Sequence, residues 1–360
     1  MPSATRGLRA GIAASVALAL TVSACGSNRE AFGPRVATAP PRADAGGTTA
    51  PRSPAPLRPV ATVRIRVTTP AGTRIVTLAL EEYVLGTVRA ELPPKTLQEE
   101  AASRALQVQA LVSRTYAVAN IGRHASEGFD LCDTTHCQLY RAAVGVEGPH
   151  DRAARAVAAT RGEVITYEGR VIQALFHSNC GGHTTSAGAV WGGPDEPYLR
   201  PVTDEFCARS SPGAWTFTVA DADLRRALDA DPRTDVGARL QRVDVTSRDA
   251  SGRAALVALV GSRSPLVRAE EFRYVLRHAF GQRSLKSTLF TVAHRNGQFE
   301  FTGTGFGHGV GLCQVGATLR ARAGQSPLAI ITHYFPGTTI QSALTSRLMA
   351  PRPSFGLNIP

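Results

Sequence analysis

The stretch from Tyr83 to Tyr116, YVLGTVRAELPPKTLQEEAASRALQVQALVSRTY, constrains the fold more than any other part of the chain. It opens as a short extended run, Tyr83 to Ala90, that sets one carboxylate, Glu91, directly before Leu92-Pro93-Pro94. The prolines forbid helix there and push the preceding residues toward extended geometry. Thr96 then fits a helix N-cap, with Glu99 as its capping-box partner, and nothing interrupts a helix from there to about Asn120. Leu97, Ala101, Ala105, Val108 and Val112 form one apolar line on that helix, and Ala102, Leu106, Ala110 and Ala117 form another. A helix apolar on nearly all sides is a buried helix. Gln107, Gln109 and Arg114 are out of place on it and need partners. Gln107 and Arg114, seven apart, share a face. A carboxylate at a strand end, backed by a buried helix with inward polar groups, has the layout of a site; the plainer alternative is a core helix whose polar residues satisfy neighbouring backbone.

The rest of the chain reads as α+β and two-lobed, a central buried helix packed on mixed and antiparallel sheets. With 360 residues it can bury a substantial core. Val60 to Val67 and Arg74 to Leu80 form a hairpin, Asp151 to Thr160 a short helix, and Glu163 to Thr166 pairs with Val171 to His177. From Trp215 the pattern changes. Helices at Asp221–Leu228 and Ala269–His278 alternate with strand pairs, one of them turning on Asn296-Gly297. The expected organisation is a leader at 1–25, a Pro/Ala-rich disordered linker at 26–59, and a folded region at 60–345. Residues 215–302 make a second lobe and 346–360 a tail.

The leader carries Arg6 and Arg9 before an apolar run, Ala10 to Val22, too short to span a bilayer but suited to a signal peptide. Val22-Ser23-Ala24-Cys25 resembles a bacterial lipobox, so Cys25 is the expected lipidation site and the mature chain an extracytoplasmic lipoprotein. A net charge of +12 suits an anionic neighbour such as a membrane surface or cell-wall polymer. The basic residues are scattered with no aromatic-interleaved stripe, which argues against nucleic acid.

Five cysteines remain beyond Cys25. Cys132-Asp133-Thr134-Thr135-His136-Cys137 combines thiols and imidazole, a zinc-type ligand set, with His124 or His177 as a further donor. A Cys132–Cys137 disulfide is the competing reading. Cys180 and Cys207, outside that loop, are expected to pair as a disulfide, leaving Cys313 as an unpaired thiol. Gly303 to Gly311 places glycine at every second position around His308, and the GxGxxG nucleotide fingerprint fails there, so no nucleotide cofactor is expected.

The segments YVLGTVRAELP, QVQALVSRTYA, CDTTHCQLY, HSNCGGHT, GTGFGHGVGLCQVGA and HYFPGT, in this order, resemble the stage II sporulation protein D / amidase-enhancer (SpoIID/LytB) family over about Val63 to Ile340. The resemblance implies action on peptidoglycan, either as a lytic transglycosylase of glycan strands or as a non-catalytic enhancer of a separate amidase. It places the family's catalytic acid on Glu91 and its RTY arginine on Arg114, and likens the CDTTHC loop to the zinc-binding loop of some members. Two departures stand out: Gln107 occupies a position where lysine is frequent, and the segment between Glu91 and Ala105 is longer than usual. The expected substrate-binding residues are Gln107, Gln109, Ser178, Gly181, Gly182, His308, Gln314 and Tyr334. A zinc amidase is disfavoured, since no HExxH set exists.

Overall fold

The computed structural model describes residues 60–92, 99–142, 151–210, 213–343 and 348–350. Cys25, the 26–59 linker and the Thr96 cap therefore lie outside the described residues. The chain is α+β, as expected from its sequence. Among the described residues, no helix is long and apolar enough to cross a membrane.

Two apolar cores organise the described residues. The first gathers the hairpin Thr62–Thr69/Gly72–Ala79, the helix Leu80–Glu91, the long helix Glu99–Ala119 and the segments from Leu131 to Cys207 and Val310 to Leu348. The second is drawn from Trp215 through Phe301. Leu131–Cys132 adds to the hairpin in parallel, with Ile65 opposite Leu131. Glu163–Tyr167 sits between Arg170–Val171 and Thr339–Ser342. The second core lies under two three-stranded antiparallel sheets and the helices Asp221–Asp229 and Ala269–Phe280.

The extended run expected at Tyr83 to Ala90 is instead helix, Leu80–Glu91. Its β-branched residues suggest strand, but the buried positions apart from Gly86 are Leu80, Tyr83, Val84, Thr87 and Val88. That is the i, i+3, i+4, i+7, i+8 rhythm of one helix face. Glu81 and Glu82 in the first turn and Arg89 in the last complement the helix dipole. Glu91 is the last residue of this helix, not the end of a strand, and Leu92 is its C-cap. The long helix is enclosed as predicted, with Ala102, Leu106, Ala110 and Leu111 fully buried.

The glycine run passes between the two cores. A Cβ on Gly307 would lie 2.7 Å from the His177 Cβ, and one on Gly309 would lie 2.5 Å from Arg253 Nε; both glycines have positive φ. Arg253 reaches from the second lobe to the carbonyls of Cys180 and His183, at 2.6 and 3.1 Å. Bare backbone is therefore what lets the lobes approach so closely.

Candidate functional site

A cleft of about 940 Å³ runs between the lobes. One wall comes from Glu91, Tyr116, the 134–139 loop, Phe176 to Ser178, Trp191, His308 and Gln314. Glu270, Arg273, Tyr274, Arg277, His278 and Gln282 of the second lobe form the other.

Glu91 opens on this cleft from the C-terminal end of its helix. Its Oε1 accepts the Leu139 backbone N–H at 2.8 Å, and Gln314 Nε2 lies 3.5 Å from Oε2. Burial pushes the carboxyl up to about 7, against the opposing pull of the Leu139 and Gln314 hydrogen bonds. The negative end of the helix dipole acts in the same direction as burial. Gln314 also donates to Gln109 Oε1 at 3.2 Å, and Gln109 donates to Ser113 Oγ at 3.0 Å, so a fixed amide relay leads from the long helix to the acid.

The second carboxylate in the cleft is different in kind. Burial pushes Glu270 up, but the charge and hydrogen bonds of Arg273 outweigh it and hold the carboxyl below its usual range. Glu270 is thus an anion locked in an ion pair, and Glu91 is the carboxyl free to exchange a proton.

Arg114 is not part of the site. Its guanidinium is fully buried and grips Glu81 bidentately, at 2.9 and 2.7 Å, while donating to the carbonyls of Val157 and Glu163. It ties the first turn of the Leu80–Glu91 helix to the long helix and to the chain entering Glu163–Tyr167. Among the described residues, Gln107 bonds its helix neighbour Ser103 and does not line the cleft. Tyr334 is fully buried, donating to Asp204 Oδ2 at 2.6 Å, and Gly181 and Gly182 pack against Leu289 and Ala208 rather than the cleft. Ser178, His308 and Gln314 do line it. His308 has both ring nitrogens committed, Nε2 to the Phe176 carbonyl and Nδ1 to the Val310 N–H. Burial lowers its pKa to about 4, so the ring is neutral and cannot serve as a cation.

The residues missed from sequence lie mostly on the second lobe. Among the described residues, Arg273 Nη1, Arg277 Nε, Trp191 Nε1 and His177 Nε2 are buried without a protein partner, and all four side chains border the cleft. Three of these atoms are N–H donors and His177 Nε2 is an acceptor, since Nδ1 carries the proton; leaving such buried polar atoms unpaired is costly, which suits the cleft to a polar ligand. Their signal was present: Glu270, Arg273 and Arg277 recur at helical spacing on Ala269–Phe280.

Beside Glu91, the donor atoms of His124, Cys132, His136 and Cys137 all lie within 4.8 Å of one another. Cys137 Sγ is 3.5 Å from His124 Nε2 and 3.6 Å from His136 Nδ1, and Cys132 Sγ is also 3.6 Å from His136 Nδ1. His124 Nδ1 meets Glu127 at 2.6 Å, which aims Nε2 at the sulfurs. A carboxylate behind an imidazole is the usual support of a metal-binding histidine. Both thiols are free, so the Cys132–Cys137 disulfide is not formed. His177 takes no part; its Nδ1 donates to the Val310 carbonyl at 3.1 Å.

The expected Cys180–Cys207 disulfide is also absent, and both sulfurs are free thiols. Cys313 is not isolated either, because it lies with them and Asp204 in one buried group.

Residues 70–167 match the family described as Stage II sporulation protein (SpoIID), and residues 214–311 match a domain of unknown function, DUF8618. The stage II sporulation protein D of Bacillus amyloliquefaciens is 30% identical over 280 residues, spanning 74% of this chain and 75% of that protein. The chain belongs to the SpoIID family. The stage II sporulation protein D of Bacillus subtilis is 29% identical over 295 residues, or 78% of this chain and 80% of the relative. A Bacillus subtilis amidase enhancer is 28% identical over 282 residues, which is 66% of this chain but 38% of the relative. In this SpoIID-family chain, Gly86 sets the distance between the acid's helix and the loop that supports it. A Cβ there would lie 2.3 Å from the Tyr140 ring and 2.6 Å from the Arg141 carbonyl. Gly86→Ala is expected to destabilise the fold by about 1–3 kcal/mol through overpacking, read as a lowered denaturation midpoint. It should also displace Leu139 from Glu91.

Proposed function

We propose that this SpoIID-family chain is a lytic transglycosylase that cuts peptidoglycan glycan strands. The observation that carries this reading is Glu91, a carboxyl held near neutral pKa in a deep cleft whose other carboxylate is already paired. Hydrolytic glycosidases commonly flank the bond with two working carboxyl groups, whereas intramolecular transglycosylation needs one. Neutral Glu91 protonates the glycosidic oxygen as the bond to the anomeric carbon breaks. The Glu91 carboxylate, now supported by the Leu139 N–H and Gln314, takes the proton of the muramic acid 6-hydroxyl. That oxygen bonds to the anomeric carbon and closes a 1,6-anhydro ring. Water is not consumed, and the acid is returned to its starting state. Arg273 and Arg277 border the same cleft and offer their unpaired N–H groups to substrate oxygens. A net charge of +12 favours approach to an anionic wall polymer, and a lipid on Cys25 would keep the protein beside it.

The likeness to an amidase enhancer favours a second reading, in which the cleft only binds glycan and the protein activates an amidase. Mass spectrometry of glycan strands incubated with the purified chain separates the two. Anhydro-muramic ends support the enzyme. Intact strands, together with faster peptide release by an added amidase, support the enhancer.

In the same reading His124, Cys132, His136 and Cys137 hold one zinc-class cation, whose contribution is a four-ligand staple of the loop that presents Leu139 to Glu91. Cys137→Ser is expected to remove one metal per chain and lower the melting temperature. Unchanged metal content would refute this assignment.

A further inference from the structure

Three cysteines distant in sequence meet around one aspartate beneath the cleft. Cys180 follows the strand Phe176–His177, Asp204 and Cys207 flank the start of the short helix Glu205–Arg209, and Cys313 is the N-cap of the helix Gln314–Arg322. One donor atom from each lies within 4.8 Å of all the others. Cys180, Cys313 and Asp204 are fully buried, and Cys207 is 2% exposed.

We propose that Cys180, Cys207, Cys313 and Asp204 form a second metal site, holding a zinc-class divalent cation through three sulfurs and one carboxylate oxygen. A tetrahedral zinc with Zn–S distances of about 2.3 Å spaces its sulfurs about 3.8 Å apart, within the observed limit. Three thiolates and a carboxylate are the soft and anionic donors such a cation selects.

The surroundings are those of a metal–thiolate centre. Backbone N–H groups of Cys180 and Gly316 point at Cys313 Sγ, at 3.3 and 3.4 Å, and that of Gly182 points at Cys180 Sγ at 3.3 Å. Donors aimed at sulfur favour the thiolate, and the N-terminus of the Gln314–Arg322 helix adds to this at Cys313. Asp204 is oriented by partners of its own: Tyr334 Oη donates to Oδ2, Cys207 N–H donates to Oδ1 at 3.2 Å, and Arg320 stands 3.6 Å from Oδ1. These are the outer contacts that fix a ligating carboxylate. Gly316 makes room for them, since a Cβ there would fall 2.0 Å from Asp204 Oδ2. A disulfide would use two of the sulfurs and leave the third as a buried thiol beside the carboxylate.

The site is structural, because four donors close it and none of its residues lines the cleft. It clamps the chain at Cys180 to the chain at Cys313, whose immediate neighbour Gln314 reaches Glu91. The proposal does not depend on whether the cleft cleaves glycan.

Metal counting by mass spectrometry on the full chain tests it. Cys132→Ser/Cys137→Ser leaves this cluster untouched and is expected to retain one zinc per chain; adding Cys207→Ser should remove it. Should the combined variant fail to fold, wild type stripped of metal is titrated with cobalt(II) and compared with Cys207→Ser. Wild type is expected to bind one more equivalent, with a sulfur-to-cobalt charge-transfer band strong enough for three thiolates. The proposal is overturned if Cys132→Ser/Cys137→Ser holds no zinc and takes up no cobalt, or if peptide mapping of protein purified without reductant finds a disulfide among Cys180, Cys207 and Cys313.

Discussion

Glu91→Gln is expected to lower production of 1,6-anhydro ends by roughly 100- to 10,000-fold, the usual contribution of a positioned general acid–base, while leaving the fold intact. The amide keeps the shape of the carboxyl but cannot deliver a proton to the leaving oxygen. Wild-type activity should itself depend on pH through this group. As the acid, Glu91 acts while protonated, so kcat/KM is expected to fall as pH rises through about 7. Activity in Glu91→Gln equal to wild type would remove the mechanism.

The same substitution carries a stability effect of opposite sign. Burial raises the folded-state carboxyl from 4.5 to about 7, so between those values the folded chain holds a proton that the unfolded chain has lost. Stability from this group is complete below about 4.5 and is lost as pH rises through 7. That loss amounts to about 3 kcal/mol above neutrality. Glu91→Gln never ionises and escapes it. Its denaturation midpoint should therefore match wild type near pH 4 and exceed it at pH 8. On the proposed mechanism, a residue whose substitution cuts turnover and strengthens the fold is retained at the expense of stability for its chemistry.

What could be read from sequence was mostly local. Asn296-Gly297 and Glu168-Gly169 form tight turns with positive φ at both residues, at the places their hairpins were expected. The long buried helix also followed from its apolar faces. The failures concern which elements meet. Val84, Thr87 and Val88 suggested strand because their residue types do, yet burying one face against the long helix decided for helix. Gln107 and Arg114 do lie on compatible helical positions, but spacing alone does not reveal that Glu81 waits for Arg114 and solvent for Gln107. Cysteine counting suggested a pair at Cys180 and Cys207. It had no way to see that the fold returns Cys313 and Asp204 to the same point.

Arg114→Ala is expected to cost about 3–5 kcal/mol, because it strands Glu81 and several carbonyls beside a fully buried void. The resemblance to SpoIID relatives suggests a functional arginine, but the geometry assigns this one to the scaffold. Lysine should not rescue it, since a point charge cannot replace a guanidinium that grips both oxygens of Glu81 and two carbonyls at once. Arg114→Met combined with Glu81→Gln removes the stranded charge, and the pair should recover a large part of the loss in a double-mutant cycle. Chemical denaturation reads all four corners of that cycle. A native midpoint in Arg114→Ala, with activity lost, would return the guanidinium to the chemistry. Lost stability, with activity retained in whatever fraction stays folded, would leave its work to holding the helix that ends in Glu91.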